Sequence, residues 1–144
     1  MVSVSAQTTA QAAAAIDAVL ASRDALNRDV LVNYGTNDLA ALPSQAAFET
    51  SLADILDTLN AKWPQGYVFV AKPWRRGYTA NANTLAGWID NVLATRGAFA
   101  FAGPDERTWL ENGDDGVTYT SDGIHYNATG NYVNAQQWMA VSGL

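Results

Sequence analysis

Three short apolar runs, spaced by stretches of helical period, constrain this chain more than any other feature. They are Val30-Leu31-Val32-Asn33-Tyr34, Tyr67-Val68-Phe69-Val70-Ala71 and Ala98-Phe99-Ala100-Phe101. Runs of this length without polar alternation read as strands buried on both faces. Between them, Phe48, Leu52, Ile55, Leu56 and Leu59 fall on one face of a helix from about Ser44 to Lys62. Leu85, Trp88, Ile89, Val92 and Leu93 do the same from Asn83 to Arg96. Ser44 suits an N-cap, Pro64 a stop, and Gly97 a helix end. An Ala-rich helix from Thr8 to about Asp24, then a turn at Asn27-Arg28-Asp29, precede the first strand. A last helix runs from Asn127 or Ala128 to about Val141. Strands alternating with helices mean βαβ crossovers, hence a parallel sheet in an α/β fold. The 144 residues suffice for one domain, spanning 1–144.

In such sheets ligands bind beyond the carboxyl ends of the strands. Three segments therefore edge the expected site: Gly35 to Leu39, Lys72 to Tyr78, and the long polar loop after Phe101. In the first, Gly35-Thr36-Asn37-Asp38 directly follows a strand. Glycine permits the sharp turn there, and the Asn37 amide offers neutral N–H donors suited to an oxygen that becomes negative only in a transition state. Asp38 suits the turn's own N–H groups, and the whole segment also reads as an ordinary Asx turn. In the third, Asp122-Gly123-Ile124-His125 precedes the final helix and carries the chain's only histidine. A neutral imidazole can take a proton from a hydroxyl and return it to a leaving group, and a carboxylate three residues earlier can fix its tautomer. A capping or surface histidine is the plainer alternative. Lys72-Pro73-Trp74-Arg75-Arg76 offers Trp74 and two arginines for a sugar ring or an anionic group, or else a solvated loop. Trp88 and Phe48 stand at core spacing.

Composition narrows the function classes. Eight basic against fourteen acidic residues give a net charge of −6, which disfavours nucleic acid and anionic membrane as partners. The absence of cysteine excludes disulfides, thiolate metal sites and a cysteine nucleophile. Gly113-Asp114-Asp115-Gly116 lacks the spaced ligands of a calcium loop, so no metal is expected. No apolar run is long enough to span a membrane, and no signal-peptide pattern opens the chain, which leaves its compartment open, a secreted location included.

Gly-x-Asn-Asp at a strand end, followed by Asp-x-x-His before a terminal helix, resembles the third and fifth sequence blocks of the SGNH/GDSL hydrolase family. Ser5-Ala6-Gln7-Thr8-Thr9 resembles its second block, with Ala6 where the family usually has glycine. Tyr126-Asn127-Ala128-Thr129-Gly130, with Trp138 downstream, resembles the segment after the family's histidine. The resemblance implies a three-layer, flavodoxin-like α/β/α fold and a serine esterase without cofactor, acting on a small-molecule or carbohydrate ester. It assigns His125 as base, Asp122 as its orienting carboxylate, Asn37 as side-chain oxyanion donor and the Ala6 N–H as a second donor. Gly35, Asp38 and Trp74 would border the substrate.

The family's first block, Gly-Asp-Ser, occurs nowhere in the sequence. The resemblance thus implies that the first two strands of the family sheet are lacking, which leaves Val30–Tyr34 as an open apolar edge. Such an edge invites pairing with another chain, as a homodimer or by borrowing a segment. Ser3 and Ser5 are the substitute nucleophiles nearest the expected oxyanion site, and Ser121 adjoins Asp122; surface or capping roles are the alternative for all of them. A triad lacking its nucleophile implies weak or no esterase activity, or a silent module that binds carbohydrate or builds a larger assembly.

Overall fold

A computed structural model describes residues 7–21, 29–111 and 116–143. Its elements run in chain order as α1 (Thr9–Ala21), β1 (Val30–Val32), α2 (Gln45–Lys62), β2 (Val68–Lys72), α3 (Thr79–Ala94), β3 (Ala100–Asp105), α4 (Arg107–Leu110) and α5 (Ala128–Ser142), with a 3-10 turn at Asp38–Ala40 after β1. The three strands are parallel in the order β1-β2-β3, as the alternation of strands and helices requires. The result is an α/β fold, a parallel sheet flanked by helices.

The side chains alternate across the sheet with period two. Val68 and Ala100, joined by Val32 and Val70, face α1, α2 and α3 and close the main core with Phe48, Leu52, Ile55, Leu56, Leu59, Leu85 and Ile89. Each large aliphatic side chain withdrawn there contributes about 1.5–3 kcal/mol. Ser44 caps α2, accepting from the Ala47 N–H, and Asn127 caps α5, accepting from the Gly130 N–H.

Burial on both faces holds for β2, where Val68, Phe69, Val70 and Ala71 are all buried, but not for β1 and β3. Leu31, Phe69 and Phe101 are in register across the other face, and Leu31 is 43% and Phe101 39% exposed. Tyr67, stacked edge-on against Phe101, is 50% exposed. The helices that fill the main core lie on one side of the sheet, and α5 packs against β3 near Gly103, where Trp138 stands close. The lower part of that face is left to solvent. Among the described residues, β1 has β2 as its sole strand partner.

Several element boundaries differ from the expected ones. β1 is shorter than the apolar run that marks it, α3 begins at Thr79 rather than Asn83, and β3 continues through Gly103-Pro104 to Asp105. Proline is tolerated because β3 is an outer strand, where a missing N–H breaks no ladder bond. Ser3, Ser5, Ala6, the helix end at 22–24, the turn residues Asn27 and Arg28, and Gly113, Asp114 and Asp115 lie outside the described residues.

Candidate active site

The turn after β1 is forced by its glycine. Gly35 has φ +113°, and a Cβ there would stand 2.8 Å from Leu85 Cδ2 and 3.0 Å from Pro73 Cγ. A side chain is thus excluded twice, by conformation and by space. Gly35 is itself buried and serves the turn.

Two residues on, Asn37 precedes the 3-10 turn but makes no side-chain cap to it. Its Nδ2 instead donates to the Gln7 carbonyl at 3.1 Å. An ordinary Asx turn would spend the side chain on its own backbone; here it reaches across to the segment that carries Ala6. Asp38 does not brace its own turn either. It is 3% exposed, and its Oδ2 accepts from Thr9 N–H at 2.8 Å and Thr9 Oγ1 at 2.9 Å, fastening the start of α1 to the end of β1. A carboxylate at the first turn of a helix also complements its dipole.

The histidine loop is closed at its neck by an antiparallel bridge between Thr120 and Tyr126. Within it, Asp122 Oδ2 lies 2.7 Å from His125 Nδ1, while Oδ1 accepts from the Ile124 and His125 N–H groups at 2.9 and 2.8 Å. The His125 N–H, the imidazole and the Ile124 N–H, in that order, hold the Asp122 carboxyl well below the usual carboxylate range. An ionised Asp122 needs a donor at Nδ1, which leaves Nε2 as the acceptor. The imidazole is 75% exposed, so Nε2 can be reached from solvent. Ser121 Oγ donates to the His125 carbonyl at 3.2 Å, on the backbone side rather than the ring side.

The loop after β2 behaves differently from expectation. Trp74 is 2% exposed and packs with Trp109 and Leu110 in a second, smaller core, so it offers a sugar ring no surface. Its ring is covered by the backbone at Gly116. Arg75 lies over the Tyr78 ring at 4.9 Å. Arg76 turns to the histidine loop, its N–H donating to the Gly123 carbonyl at 3.0 Å.

Asn37 and His125 share no hydrogen bond, but the segments that carry them meet at a residue that the sequence reading missed. Glu106 follows β3, is 2% exposed, and accepts from Asn33 at the end of β1 and from Tyr126, the neighbour of His125. In the sequence it stands between Asp105 and Arg107 and looks like one more solvated charge. Two surface hollows lie elsewhere, one against α1 and α2 around Asp17, Leu20 and Lys62, the other against α2 and α3 around Glu49, Asn91 and Arg96. Among the described residues, no three acidic or histidine side chains group as metal ligands, and no helix is long and apolar enough to cross a membrane.

A family model described as GDSL-like lipase/acylhydrolase matches residues 1–133. The chain belongs to that family. No curated protein matches it. The fold of this GDSL-like chain is also that of solved structures. A putative GDSL-like lipase from Parabacteroides merdae superposes with a TM-score of 0.74 at 14% identity, over 95% of this chain and 69% of the other. AlinE4, an SGNH-hydrolase family esterase, gives 0.63 at 21% identity, over 97% and 72%. A family two carbohydrate esterase from Clostridium thermocellum, in complex with cellohexaose, gives 0.62 at 16% identity, over 78% of this chain and 34% of that one.

Proposed function

We propose that this GDSL-like chain hydrolyses a small acyl ester or the acetyl ester of a carbohydrate, with His125 as its general base. The Asp122–His125 contact of 2.7 Å on an open loop carries this reading. It is supported by the family and by the words esterase and carbohydrate esterase borne by two structural relatives.

A serine hydroxyl oxygen attacks the ester carbonyl carbon while its proton passes to His125 Nε2. The carbonyl electron pair moves onto oxygen, where the Asn37 amide and the Ala6 N–H donate to it. As that oxyanion collapses, the C–O bond to the alcohol breaks, and the leaving oxygen takes the proton from Nε2. Water then repeats the sequence on the acyl-serine, releasing the acid and restoring the hydroxyl. Asp122 keeps Nδ1 protonated and favours the imidazolium throughout. The hydroxyl comes from Ser3 or Ser5, which precede Ala6 in the sequence, or from a serine that this sequence does not contain.

A second reading, a catalytically silent module that binds carbohydrate or assembles through the β1 edge, is favoured by the exposed row of Leu31, Tyr67 and Phe101. Hydrolysis of p-nitrophenyl acetate separates the two. His125→Ala is expected to lower the rate by about 10²–10⁴-fold, the range of positioned acid–base catalysis. Equal rates for the two proteins would reject the hydrolase and leave the module. A fluorophosphonate adduct located by mass spectrometry names the serine.

A further inference from the structure

Glu106 differs from Asp105 and Asp122, which also accept three hydrogen bonds each, in the origin of its partners: theirs lie within three residues, and its own come from three distant segments. Its Oε1 accepts from Asn33 Nδ2 at 2.9 Å and from the Tyr126 hydroxyl at 2.5 Å, and its Oε2 accepts from the Trp74 N–H at 3.0 Å. Its own N–H donates to the Lys72 carbonyl at 3.0 Å, which ties the end of β3 to the end of β2. Three donors and no acceptor suit an ionised carboxylate, which can only accept. Hydrogen bonds to a charged acceptor are also roughly twice as strong as neutral ones.

The donors come from three places. Asn33 directly follows β1, two residues before Gly35. Trp74 lies in the turn after β2, and Tyr126 closes the histidine loop beside His125. Withdrawal from water raises the Glu106 carboxyl above its ordinary value, and it also raises the Tyr126 phenol, with the adjacent carboxylate adding to the effect. The phenol therefore keeps its proton and stays a donor.

We infer that Glu106 is the positioning residue of the candidate site, its carboxylate locking the His125 loop to the ends of β1 and β2. What the loop does rests on the hydrolase proposed above; what holds it rests on these contacts alone. Without the anchor, the loop is held by its neck bridge and by contacts along its rim, chiefly the Arg76 N–H on Gly123. Neither of these reaches back to β1, the strand that leads to Asn37. Glu106 does, through Asn33.

Tyr126→Phe tests this cleanly, because the ring keeps its place 5.5 Å from Trp109 and only the hydroxyl is lost. Hydrogen–deuterium exchange followed by mass spectrometry should rise about tenfold in peptides covering 120–126, the effect of losing a bond to a charged acceptor, and stay unchanged in α2 and β2. Toward p-nitrophenyl acetate, kcat should fall about tenfold with KM held within about twofold, since position rather than affinity is lost. Glu106→Gln, which keeps shape but not charge and sets an N–H against the Trp74 N–H, should raise exchange in the same peptides. Unchanged loop exchange in Tyr126→Phe, or a rise spread evenly over the chain, overturns the inference. If loop exchange rises while His125→Ala and the parent hydrolyse alike, the anchor stands and the hydrolase falls. If hydrolysis needs His125 but loop exchange and kcat ignore Tyr126→Phe, the hydrolase stands and the anchor falls.

Discussion

The packing beneath the sheet and the packing at its carboxyl end follow different rules. Beneath it, α1, α2 and α3 press aliphatic side chains against Val32, Val68, Val70 and Ala100, and the contacts have no preferred direction. At the carboxyl end, two tryptophans and Leu110 form a small aromatic cluster around a buried carboxylate, and the chain's own backbone crowds in. A Cβ added at Gly130 would stand 2.0 Å from the Tyr119 carbonyl oxygen. The first region needs volume and apolarity; the second needs particular atoms in particular places. That division is what a site requires, since slack in a hydrophobic core is shared among many neighbours, whereas slack at an anchor passes directly to the group it holds.

Substitutions can break or sharpen this contrast. Leu56 is fully buried, so Leu56→Ala should cost about 2–5 kcal/mol by denaturant unfolding, while Leu56→Met should cost less than about 1.5. Equal costs would show a core as exacting as the strand ends. Gly130→Ala should cost about 1–3 kcal/mol despite adding one methyl, because backbone rather than a flexible side chain must give way. A neutral result would remove the contrast from the other side. The smallest effect is in pH. Burial raises the Glu106 carboxyl above its ordinary 4.5, so stability from this group is full below that value and is lost as pH rises through the raised one. Asp122 has the opposite sign: lowered in the fold, it contributes above its unfolded value, and that contribution is lost as pH falls through the lowered one. The unfolding free energy of the parent minus that of Glu106→Gln should decline from acid to neutral pH, and that of the parent minus Asp122→Asn should climb. Either slope reversed refutes the corresponding environment.

Local features of the sequence carry much of this structure. The helical stripe of α2, its Ser44 cap and its last residue Lys62 are where periodicity and capping chemistry put them. Parallel pairing follows from the alternation of strands and helices. The Asp122–His125 pair is legible because three residues of a turn suffice to bring the groups together. What local reading misses is long in sequence. The first turn of α3 buries Ala82, too small to register as a stripe residue. Trp74 next to two arginines looks like a surface, and only the distant Trp109 and Leu110 make it a core residue. Glu106 draws its partners from 73, 32 and 20 residues away, so nothing near it marks it as buried. The period-two strands also mislead, since an apolar run records that a side chain tolerates burial, not that a layer is there to bury it.

The exposure of the only imidazole has a practical consequence. In a proton NMR spectrum of the unlabelled protein, two ring C–H lines belong to His125 and need no assignment. A panel of esters, sugars and anions can be titrated against those two lines. A ligand that reaches the loop announces itself there, whether or not any bond is ever cleaved.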